Sequence, residues 1–88
     1  MSVRNAGTRI IADDLSFEVL TYRIIDNHGG HAYLNEGDVD LLVNGRARTG
    51  ILRLSGSTEY RIQLPARRIA NDRTGIIFDF APDQDLHF

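Results

Sequence analysis

The sequence predicts an all-β domain: a small antiparallel meander of about six or seven strands closing into a barrel. Three observations point there. Runs rich in β-branched and aromatic residues alternate at period two. Turn signals separate them roughly every eight to twelve residues. No stretch has a convincing amphipathic-helix pattern.

Each element follows from its residues. Leu15 to Asp26 (LSFEVLTYRIID) reads as one long strand. Its alternation slips: Phe17 and Val19 share one parity, while Leu20, Tyr22 and Ile24 share the other. A bulge or strong bend near Val19–Leu20 would bring both sets to one side. Helical spacing of Leu15, Val19 and Tyr22 is the competing pattern. Asn27-His28-Gly29-Gly30 reads as a turn in which the glycines supply positive φ. His31 to Leu34 reads as a short strand, and Asn35-Glu36-Gly37-Asp38 as another turn.

Val39, Leu41 and Val43 alternate with polar neighbours as a half-buried strand, and Asn44-Gly45 after it favours a two-residue hairpin. That register pairs Val43 with Arg46 and Leu41 with Arg48. A three-residue loop, Ser55-Gly56-Ser57, then sets Leu54 opposite Thr58, Leu52 opposite Tyr60 and Gly50 opposite Ile62. The opposite face carries Arg53 against Glu59 and Ile51 against Arg61. Pro65 marks a bend or an edge. A last hairpin turns at Asn71-Asp72-Arg73, with Ile76, Phe78 and Phe80 at strand period. Residues 1–88 form one domain, with 1–13 as an N-terminal arm and 81–88 as a C-terminal tail.

Bulk properties narrow the class. The chain is 42% hydrophobic and 25% charged, the balance of an ordinary soluble domain. No apolar run approaches the roughly 20 residues that span a bilayer. The first residues lack a signal-peptide core, so a cytoplasmic location is expected. Without cysteine, neither disulfides nor thiolate metal sites hold the chain together. No cofactor motif is present.

Charge is sorted by position, and every basic side chain except histidine is arginine. Between Asn44 and Arg73 stand seven arginines and two acids, a balance of +5, whereas the rest carries three arginines and ten acids, a balance of -7, summing to -2. This pattern calls for an anionic ligand, an acidic partner, or self-neutralisation across strands. Codon bias explains the absence of lysine but less readily the clustering. The hairpin register places Arg46 and Arg48 on the face of Val39, Leu41 and Val43. Unpaired arginines do not sit in an apolar core, so these belong at an open barrel end or a binding surface. In Arg67-Arg68 only one side chain can share a face with them.

Other chemistry is poorly represented. His28 and His31 flank Gly29-Gly30, but their spacing matches no specific zinc site. No serine has a nucleophile signature, and paired acids such as Asp38 and Asp40 fit a solvated face. A non-enzymatic module is expected. A single-stranded nucleic-acid barrel would need exposed aromatics beside the basic residues. The aromatics fall mostly at core parity and the net charge is negative, which weighs against nucleic acid.

The second half resembles a PilZ domain, a small β-barrel family that includes receptors for cyclic di-GMP. Gly37-Asp38-Val39-Asp40-Leu41 resembles the family's strand after a glycine. Pro65-Ala66-Arg67-Arg68-Ile69-Ala70 with Thr74-Gly75-Ile76-Ile77-Phe78 resembles its closing hairpin. The family's nucleotide signature pairs two N-terminal arginines about four apart with Asp/Asn-x-Ser-x-x-Gly. Here Arg4 and Arg9 are five apart, and Asp26-Asn27-His28-Gly29-Gly30 lacks the serine. The resemblance implies a small barrel and a cyclic dinucleotide as candidate ligand.

The expected function is a binding or regulatory module that contacts an anionic small ligand or a protein through Arg4, Arg9, Arg46, Arg48 and Arg67. Arginine suits a cyclic dinucleotide because its planar fork pairs with phosphate and stacks on a base. An alternative is an adaptor or inhibitor acting through acids such as Asp13, Asp14, Glu36, Asp38 and Asp40. The separated charge also predicts a weak, salt-sensitive homodimer.

Overall fold

A computed structural model describes residues 7–55 and 58–82. Seven strands and one helix follow in the order β1 (Arg9–Ala12), β2 (Leu15–Glu18), β3 (Thr21–Asp26), β4 (Gly29–Tyr33), α1 (Glu36–Asn44), β5 (Thr49–Arg53), β6 (Glu59–Arg68) and β7 (Gly75–Phe80). The strands form one antiparallel sheet ordered β2-β1-β5-β6-β7-β4-β3. Among the described residues no helix is long and apolar enough to cross a membrane.

This order is not a simple meander, because β5 lies beside β1 and β7 beside β4. Nor do the ladder's hydrogen bonds form a closed ring: β2 and β3 are its two ends. Yet β2 and β3 are successive in the chain, separated only by Val19 and Leu20. Val19 donates its N–H to the Thr8 carbonyl at 3.0 Å, and Leu20 to the Tyr33 carbonyl at 2.8 Å. The predicted long strand is thus a bent one, its first half bonded to β1 and its second to β4. The parity slip has the inferred cause: Phe17 and Val19 are buried, Tyr22 and Ile24 pack against the same core, and Leu20 turns out.

A second corner lies in β6. Glu59 to Gln63 pair with β5, and Arg67 and Arg68 pair only with β7, with a register shift between Gln63 and Arg67 around Pro65. Two bent strands therefore curl the sheet around one core. Ile10, Leu52, Ile62 and Ile76 have no exposed surface, and each such side chain contributes about 1.5–3 kcal/mol on burial. The Phe78 and Phe80 rings meet edge-on at a centroid distance of 5.5 Å.

The β5–β6 register follows the sequence prediction pair for pair, including Gly50 with Ile62 and Leu52 with Tyr60. The tip of that loop, residues 56 and 57, lies outside the described residues. The last hairpin also stands where predicted, with Ile76, Phe78 and Phe80 buried.

Four local expectations are overturned. Gly29 and Gly30, read as turn glycines with positive φ, open β4 and have no positive φ. Residues 9–12, read as part of an arm, form β1 and sit between β2 and β5. Gly37 to Val43, read as a turn and strand resembling a PilZ strand, lie in α1. Asn44 ends that helix, so Asn44-Gly45 is not a hairpin. Helical spacing turns Val39 and Leu42 inward and leaves Leu41 53% exposed, which a strand through Val39, Leu41 and Val43 could not do. Asp40 binds Arg68, and Glu36 reaches Arg73 at 3.7 Å, holding α1 to the β6–β7 hairpin.

Candidate functional site: an arginine groove on the outer sheet face

The outward side chains of β1, β5 and β6 form rows across the sheet. Glu18, Arg9, Arg53 and Glu59 are successive partners in one row, and Ser16, Ile11, Ile51 and Arg61 in the next. In the first row the two neighbouring arginines are each tied down. Arg53 Nε donates to Glu59 Oε2 at 2.6 Å, and Arg9 donates to the Ser16 hydroxyl and carbonyl.

The second row opens into a groove. Ile11 and Ile51 make an apolar floor, Arg48 and Arg61 line it, and Ala81 and Pro82 wall one side, enclosing about 620 Å³. The wall is fixed by the backbone, because Ala81 donates its N–H to the Arg61 carbonyl at 3.0 Å. Arg48 sits in the α1–β5 connection, where its carbonyl accepts from Leu64 N–H at 2.9 Å, and its side chain is exposed. Asp13 stands at the margin.

Gln63, Ala81 and Pro82 are shared with a neighbouring hollow of about 500 Å³ that ends at Asn27 and His28. The Gln63 side-chain amide donates to the Phe80 carbonyl at 3.1 Å. The β3–β4 turn is ordered by its own aspartate: His28 N–H donates to Asp26 Oδ1 at 2.8 Å. The trough of two arginines over an apolar floor thus adjoins, along Gln63, Ala81 and Pro82, a separate hollow that reaches Asn27 and His28. Flat apolar surface beside guanidinium groups suits a ligand that combines a ring system with an anionic group.

Of the five arginines expected to act together, the four that are described are dispersed. Arg4 lies outside the described residues. Arg9 is held by Ser16 one row from the groove floor. Arg46 lines a separate apolar groove beside α1. Arg67 projects from the other half of β6 and faces Asp79 at 3.7 Å. Of these four described arginines, only Arg48 lines the trough. Neither Arg46 nor Arg48 shares a face with Val39, since the hairpin that would place them there does not form. Arg61 is not among the site residues the sequence points to, although the predicted register sets it outward against Ile51. An outward isoleucine beside an arginine is the signal the sequence carries for it.

No family model, curated protein or solved structure matches this chain.

Proposed function

We propose that the chain is a non-enzymatic binding module whose trough holds an anionic ligand with a flat ring system, of which a cyclic dinucleotide is the fitting type. The carrying observation is the placement of Arg48 and Arg61 over the Ile11–Ile51 floor, in a space of about 620 Å³. Ligand sites typically fall in the range of about 300–1,000 Å³. The PilZ resemblance supplies the candidate ligand, with its closing hairpin kept as β6 and β7, and Asn27 and His28 of the Asp26–Gly30 segment line the adjoining hollow. In this reading the curled sheet acts as a small barrel, sealed through the chain at Val19–Leu20, with the ligand on its outer wall.

Calorimetry with cyclic di-GMP tests this. Each of Arg48→Ala and Arg61→Ala is expected to weaken binding about tenfold or more, the worth of a charged hydrogen bond, while Arg67→Ala leaves it unchanged. No heat at high micromolar nucleotide rejects the ligand class. Binding that survives both arginine substitutions rejects the site.

A further inference from the structure

A second groove, beside α1, shares only Asp13 with the trough. Leu41 on α1 and Leu15 at the start of β2 stand on its two sides, 53% and 52% exposed. Phe17, Leu42 and Leu64 form its floor. Its volume is about 90 Å³, below the roughly 300 Å³ of ordinary small-molecule sites, so it fits protruding side chains better than a ligand.

The rim carries one charge of each sign. Asp13 lies in the two-residue β1–β2 turn, between the paired Ala12 and Leu15, with φ at 54°. Arg46 follows α1 on the other side. Neither has a salt-bridge partner among the described residues. An apolar centre with an unpaired anion on one side and an unpaired cation on the other is complementary to itself. A two-fold rotation sets each charge against its opposite in a second copy. A partner of one charge sign would satisfy only half of this rim. Leu15 also belongs to β2, an end strand of the ladder with a strand neighbour on one side only among the described residues.

We propose that this groove is the contact surface for a second copy of the chain. Leu15 and Leu41 meet across a two-fold axis, and Asp13 of each copy pairs with Arg46 of the other. The apolar centre is small and the ion pairs lie at its rim, so the dimer is weak and loosens as salt rises.

Sedimentation equilibrium at low salt up to millimolar chain concentration tests the contact, with each variant's melting temperature recorded to show that it folds. Asp13→Arg and Arg46→Asp are each expected to weaken association about tenfold or more by opposing like charges. The Asp13→Arg/Arg46→Asp double variant, and an equimolar mixture of the two single variants, regain it. Leu41→Glu abolishes association with the rim charges intact. A wild-type chain that stays monomeric overturns the proposal. So does a dimer that neither single reversal weakens, or one that the double variant and the mixture fail to restore.

Discussion

Gly29 and Gly30 show how a residue-scale reading can name the right residue for the wrong reason. Glycine in a turn suggests positive φ, yet both lie in the regular strand β4 and only Gly7 among the described glycines has positive φ. What they supply is the absence of a side chain. A Cβ at Gly30 would stand 2.2 Å from the Arg23 carbonyl oxygen, and one at Gly29 would stand 2.0 Å from that of Phe78. Those are backbone atoms of the flanking strands and cannot rotate away. Gly30→Ala is therefore expected to cost about 2 kcal/mol or more in urea unfolding, as overpacking does; an unchanged midpoint would refute this packing. Asp72 makes a second residue-scale prediction. Its carboxylate accepts from the Thr74 backbone N–H at 2.9 Å and from the Thr74 hydroxyl at 2.8 Å, and these bonds lower its pKa below 3.8. Bonds to the charged form stabilise the fold above the unfolded value, and that stability disappears as pH falls through the lower folded value. Asp72→Ala should thus reduce stability at neutral pH and flatten its loss below about pH 4, where the unfolded carboxylate titrates. Equal acid slopes in both proteins would contradict the assignment.

At the scale of the element, α1 turns on one ambiguous segment. Val39, Leu41 and Val43 satisfy a strand, but Val39, Leu42 and Val43 equally satisfy one face of a helix. Asn44-Gly45 is a hairpin signal and also a residue pair found at helix ends. Asn35 and the acids Glu36 and Asp38 suit a helix N-terminus, with Asn35 taking the extended N-cap backbone, although its side chain makes no capping bond. Nothing local separates the two readings. The core does, because Leu42 is 3% exposed and Leu41 is 53% exposed. Leu42→Ala is expected to destabilise by about 2–4 kcal/mol, and Leu41→Ala by no more than about 0.5 kcal/mol. A strand would reverse that ranking, so thermal or urea unfolding of the two variants distinguishes them.

Across the whole molecule, much of the arginine block is neutralised internally. Arg53 pairs with Glu59, Arg67 with Asp79, Arg68 with Asp40 and Arg73 with Glu36. Three of the four acids lie outside the block, so folding joins the +5 segment to the -7 remainder. These pairs are solvent-exposed, and each contributes about 0–1 kcal/mol. Raising salt should therefore lower the melting temperature by no more than roughly a few degrees, even where it weakens ligand binding or self-association. A large salt-induced loss of stability would show that the charge network, and not the apolar core, holds the fold.

The sequence by itself determined the strands whose signals are local and unambiguous. The Ser55–Ser57 loop and the alternation on both sides of it set the β5–β6 register. The Asn71–Arg73 turn set the last hairpin, and the parity slip at Val19–Leu20 marked a corner. In each case period two and a turn act on adjacent residues, so one wrong step would turn buried side chains to water. The tertiary structure decided what depends on distant partners. It placed β1 between β2 and β5, kept α1 helical where the core accepts Leu42, and gave Gly29 and Gly30 their close backbone neighbours. It also gathered Arg48 and Arg61 over one apolar floor while scattering Arg9, Arg46 and Arg67. Whether two arginines share a groove depends on how strands far apart in the chain are ordered, and no local period carries that information.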